Sequence, residues 1–168
     1  MTLEEAIKTA LDYETKVRDV YGEACEKAVN DVGRRVFKIL AREEQGHLDY
    51  LHHKLEQLKS GETVSADDLE TAIPSKERIL EGVAKLENRI EVEDRGDELH
   101  MLKKALQVEV ETGNFYRKMV KELDQDGQRF FARFVEIEEG HETLVQAEID
   151  CLSGSGFWFD MQEFSLEL

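Results

Sequence analysis

Two stretches of this chain repeat one another in a way that restricts what they can build. Glu14 is followed seven residues later by Tyr21, and Glu109 by Tyr116, at an offset of 95. Glu44-Gln45-Gly46-His47 is matched by Glu138-Glu139-Gly140-His141, with Phe37 matching Phe131 upstream, at an offset of 94. A single Glu-x-x-His arises easily in an acidic helical sequence, and a glutamate taken alone belongs on a solvated face. Four matches in the same order are far more specific, and a Glu and a His three residues apart share one face of a helix.

The sequence around these matches is helical in pattern. Only one proline and eleven glycines interrupt a chain with 36% charged and 40% hydrophobic residues. Thr2 with Glu5 has capping-box spacing, and apolar residues recur at Leu3, Ile7, Ala10, Leu11, Val17 and Val20, which predicts a helix to about Asn30. Asn30-Asp31-Val32-Gly33 makes a turn, and a second helix runs to about Leu58. Residues 60–75 contain Gly61 and the single proline, Pro74, and form a long crossover. Ser75 caps a shorter helix through about Arg89, a third long helix spans about Asp97 to Leu123, and a fourth follows the Asp124–Gly127 turn to about Leu152. The expected fold is all-α: two antiparallel helical hairpins joined by one long connection, which is the ferritin-like form of a four-helix bundle. Residues 1–152 make the bundle. Residues 153–168 form an apolar tail, with Phe157, Trp158 and Phe159, expected to dock on the bundle or on a partner subunit of a homodimer.

Helix geometry tests whether the repeated residues can meet. Counting from Asp31, Glu14 lies 17 residues before and His47 16 after, so both sit about 25 Å from the turn at about 1.5 Å per residue. Glu109 and His141 are equally far from Gln125. Glu14, Glu44, His47, Glu109, Glu138 and His141 can therefore converge in the bundle core. Four carboxylates in a low-dielectric interior repel one another, and two divalent cations remove that cost most directly. Oxygen and imidazole donors without thiolate suit iron or manganese, and zinc also fits.

Other features exclude function classes. A net charge of -16 repels phosphate backbones and anionic lipid surfaces, so neither nucleic acid nor a membrane is expected as a partner. The absence of an 18-residue apolar run or a basic-apolar leader leads to the expectation of a soluble cytoplasmic protein. Cys25 and Cys151 form no Cys-x-x-Cys pair and are expected to be free thiols, Cys25 as a small core residue. His52, His53 and His100 fall off the face of the candidate site and are expected at the surface.

At the Glu-x6-Tyr and Glu-x-x-His segments the sequence resembles the rubrerythrin family, specifically its di-iron domain, over about residues 3–150. The resemblance implies two iron ions per chain, with Glu14, Glu44 and His47 as ligands from one half and Glu109, Glu138 and His141 from the other. It implies that Tyr21 and Tyr116 bond to ligand carboxylates. It further implies reduction of peroxide, or of dioxygen, with electrons from a separate donor such as a rubredoxin. The chain departs from the long form of the family in lacking a four-cysteine rubredoxin domain. It also has Thr112 where that form has an additional ligand glutamate, Glu111 being turned away. Two other readings stay open: an iron storage or ferroxidase protein like bacterioferritin, and a metal-binding protein without turnover.

Overall fold

The computed structural model describes residues 1–85 and 96–160, and in them five α-helices and no strand. They are α1 (Leu3–Lys27), α2 (Asp31–Lys59), α3 (Lys76–Lys85), α4 (Gly96–Glu122) and α5 (Gln125–Ser155). Local chemistry sets most of the boundaries. Thr2 and Glu5 close a reciprocal capping box on α1. The Asn30 side chain accepts the Val32 and Gly33 amides, and Asp124 accepts the Gly127 amide, so two sharp turns each end in a capped helix. Ser75 starts α3 as expected, accepting the Ile79 amide through its carbonyl at 3.0 Å. Residues 86–89 of the expected short helix lie outside the described residues. The last helix continues past Leu152, because the residue that stops it is Gly156 in the left-handed conformation, with φ of 76°.

Helices α1 and α2 pair as one hairpin and α4 and α5 as the other, with α1 packed on α4 and the short α3 lying on α5. Each long helix contributes to two hydrophobic clusters separated along the bundle. One cluster surrounds Val17, Tyr21, Phe37, Leu40, Leu102 and Leu144. The other surrounds Ile7, Leu51, Tyr116, Phe130, Phe131 and Phe134. A leucine as fully buried as Leu40, Leu51 or Leu102 contributes about 1.5–3 kcal/mol, so these clusters hold the helices in register. Between them, at the waist of the bundle, every long helix presents polar residues to the interior.

The tail turns back at Gly156 and docks on its own bundle as far as Asp160. Trp158 and Phe159 are buried, Trp158 stands edge-on to Phe37 with ring centres 5.3 Å apart, and Arg35 pairs with Asp160 at 3.0 Å. Residues 161–168 of the expected tail lie outside the described residues. Cys25 differs from expectation: it is only partly buried, at the edge of the core, with Sγ 3.6 Å from the Arg34 carbonyl. No helix among the described residues is long and apolar enough to cross a membrane.

Candidate metal centre

The waist is made by the six residues singled out by the repeat. Glu14, Glu44, Glu109, Glu138 and His141 have no exposed surface, and His47 is 2% exposed. One residue comes from α1, two from α2, one from α4 and two from α5, each flanked on its own helix by residues of the two hydrophobic clusters. Those clusters place carboxylates and imidazoles where solvent does not reach them.

The geometry divides the six into two overlapping sets. Donor atoms of Glu14, Glu44, His47 and Glu138 lie within 4.8 Å of one another, as do those of Glu44, Glu109 and His141. Glu44 belongs to both: its Oε2 is 3.1 Å from His47 Nδ1 and its Oε1 is 2.9 Å from His141 Nδ1. The imidazoles are stacked nearly parallel, 6° apart, with centres separated by 5.4 Å. Tyrosines bind the carboxylates crosswise between hairpins. The Tyr21 hydroxyl of α1 donates to Glu109 of α4, and the Tyr116 hydroxyl of α4 donates to Glu14 of α1. Several ligand-type atoms stay unsatisfied within the protein: both oxygens of Glu138 and Glu109 Oε2 have no hydrogen-bond partner, and Glu44 Oε1 and His141 Nδ1 face each other. Buried polar atoms are normally paired, so a set of orphans converging at one waist fits a metal-binding role.

The family model for rubrerythrin matches residues 5–149 of this sequence. The chain belongs to the rubrerythrin family. Neither a curated protein nor a solved structure matches it. Rubrerythrins are di-iron carboxylate proteins, and the buried Glu and His groups at this waist are able to hold metal.

The electrostatics of this rubrerythrin's waist show what a bound cation would offset. Burial, reinforced by the Glu44 charge, raises the Glu14 carboxyl to about 8. Burial together with Glu109 and Glu14 pushes Glu138 well above the ordinary carboxylate range. Burial opposes a charge on His47, yet Glu14 and Glu44 outweigh it and lift the imidazole to about 10. Burial likewise opposes ionisation of Glu44, but the two histidines outweigh it and hold that carboxyl well below its ordinary value. Without metal, protons on carboxyls and imidazoles neutralise the waist, and a bound metal would displace them.

The sites expected to be peripheral are so. His52, His53 and His100 are exposed. Glu111 faces outward and pairs with Lys16 at 2.7 Å. Thr112 is buried, its hydroxyl donating to the Val108 carbonyl of its own helix at 2.9 Å, so this position brings no additional carboxylate to the waist.

One neighbour of the site escapes the spacing argument. Glu43 carries an oxygen 3.8 Å from His141 Nε2, and donor atoms of Glu43, His47 and His141 form a third close group. The available signal is a break in the repeat: the offset of 94 pairs Glu43 with Ile137, an acid with an aliphatic residue, immediately before the matched glutamates.

Proposed function

We propose that this rubrerythrin is a peroxide reductase with two iron ions at the waist, drawing electrons from a carrier separate from the bundle. The observation that carries the reading is the fully buried set of four glutamates and two histidines, arranged as two groups that share Glu44. Glu14, Glu44, His47 and Glu138 would hold one ion, and Glu44, Glu109 and His141 the other. Such a pair supplies the two electrons that, with two protons, convert hydrogen peroxide to two waters.

The chain's own residues create the conditions for that chemistry. The two apolar clusters exclude bulk water from both ends of the waist. Tyr21 and Tyr116 orient Glu109 and Glu14 through their hydroxyls, fixing carboxylates that otherwise have several rotamers. Burial and the facing carboxylates keep both phenols protonated well above their ordinary range, so each remains a hydrogen-bond donor at neutral pH.

The test is anaerobic stopped-flow oxidation of the reduced, iron-loaded protein. Peroxide is expected to oxidise it stoichiometrically and faster than dioxygen does. Slow or absent oxidation by peroxide rejects the reading, and elemental analysis finding only zinc or manganese in protein purified without added metal rejects iron.

A further inference from the structure

We propose that Glu43 is a positioning residue for His141: its carboxylate accepts a hydrogen bond from the imidazole Nε2–H and so presents Nδ1 to one metal ion, leaving the two ions unequally held. The inference rests on the two-metal reading above and assigns a role to a residue outside the six.

The two edges of the His141 ring face different groups. Nδ1 lies 2.9 Å from Glu44 Oε1 and 3.6 Å from Glu109 Oε1, on the side where the unsatisfied carboxylate oxygens converge. Nε2 faces Glu43 Oε2 at 3.8 Å, an ion-pair separation that closes to a hydrogen bond with a movement of about 1 Å. A metal-bound imidazole ordinarily gives its other N–H to a carboxylate or carbonyl, which fixes the tautomer and strengthens the donor nitrogen.

Glu43 is itself held in place by the crossover. Its Oε1 accepts the Ala72 amide at 2.8 Å and its Oε2 accepts the Thr71 hydroxyl at 2.7 Å. A carboxylate oxygen has two lone pairs, so Oε2 retains capacity for a second donor. The crossover runs on past His141 because the preceding residue is glycine: a Cβ at Gly140 would lie 3.3 Å from the Pro74 carbonyl oxygen.

The other half of the bundle lacks this arrangement. Ile137, buried, occupies the position equivalent to Glu43; neither imidazole Nε2 has a hydrogen-bond partner, but among the described residues only that of His141 has a carboxylate within ion-pair distance. His47 faces Glu14 and Glu44 through Nδ1 alone. Glu43, His47 and His141 are also close enough to hold a cation themselves. A cation there, with metal on both Nδ1 atoms, would require both imidazoles to lose their last proton, whereas one proton shared with Glu43 does not.

The test is anaerobic cobalt(II) titration of the full chain as wild type, Glu43→Gln and Thr71→Val. Absorption and calorimetry follow the titration, and nitrogen-15 spectra of the histidine rings are recorded on zinc-loaded protein. The wild type is expected to take two cobalt ions in unequal steps. Glu43→Gln is expected to weaken one step about 10- to 100-fold and to shift the His141 Nε2–H resonance. Thr71→Val loosens the crossover but keeps the carboxylate, and is expected to change neither step more than a few-fold. Metal steps and His141 resonance unchanged in Glu43→Gln, or equal losses in the two variants, overturn the inference while leaving the two-metal reading intact. A third cobalt ion in the wild type that Glu43→Gln loses also overturns it, in favour of a cation on Nε2. Failure of the wild type to take up cobalt overturns both readings.

Discussion

Glu138 is the residue whose two possible environments differ most. Neither of its oxygens has a hydrogen-bond partner, and burial with Glu109 and Glu14 drives its carboxyl towards the protonated form. Glu138→Gln is isosteric with that protonated form, so at pH 7 it is expected to stabilise the metal-free protein by about 1–3 kcal/mol. The same change removes a negative donor and is expected to reduce the additional stability gained with metal, which scales as the logarithm of affinity. Denaturant unfolding with and without cobalt(II) measures both effects, and a destabilised metal-free variant would contradict the account of the waist. At this scale the six central residues were legible because helical spacing and distance from a turn are properties of the sequence itself. Glu43 was not, since its partners Thr71, Ala72 and His141 come from a loop and another helix whose meeting no spacing encodes.

At the scale of elements, Gly46 and Gly140 occupy matched positions with opposite surroundings. Nothing lies within 4 Å of a Cβ placed at Gly46, while one at Gly140 meets the Pro74 carbonyl. Gly46→Ala is therefore expected to stabilise by about 0.5–1 kcal/mol through helix propensity alone. Gly140→Ala is expected to forfeit that gain and destabilise by about 1 kcal/mol, since the crossover it displaces is tied to Glu43. Urea unfolding of the two variants side by side decides the matter, and equal effects would mean that the crossover yields freely. The hairpins were readable from their caps. The end of α5 was not placed correctly, because a helix crosses Gly154 without difficulty whereas Gly156 carries the left-handed conformation that ends it.

Over the whole molecule, the tail adds a pH dependence separate from the metal centre. Glu148 is buried, and its Oε2 accepts the Phe159 amide at 2.8 Å. Burial pushes its carboxyl well above the ordinary value of 4.5 despite that bond. The protonated form belongs to the folded state, so the stability it confers is complete below pH 4.5 and declines as pH rises towards the folded value. Glu148→Gln does not titrate and is expected to match the wild type near pH 4 and exceed it by a growing margin from pH 5 to 8. Thermal melts across that range test this, and a constant margin would show that Glu148 keeps its ordinary titration in the folded protein. The tail's apolar character was plain in the sequence, but its seat against Phe37 and Gly33 depends on chain reversal at Gly156.

The crossed pairs Tyr21 with Glu109 and Tyr116 with Glu14 join the hairpins reciprocally, each half of the repeat holding the carboxylate of the other. In that sense the protein is a pair of hairpins written on one chain, and exact symmetry would make the two proposed metal positions identical. Glu43 against Ile137, and open Gly46 against covered Gly140, break the symmetry where the joining segment returns along α5. The halves are thus unequal where the joining segment lies: Thr71 and Ala72 bind a carboxylate that Ile137 replaces by symmetry, and Pro74 covers the glycine whose counterpart, Gly46, is open.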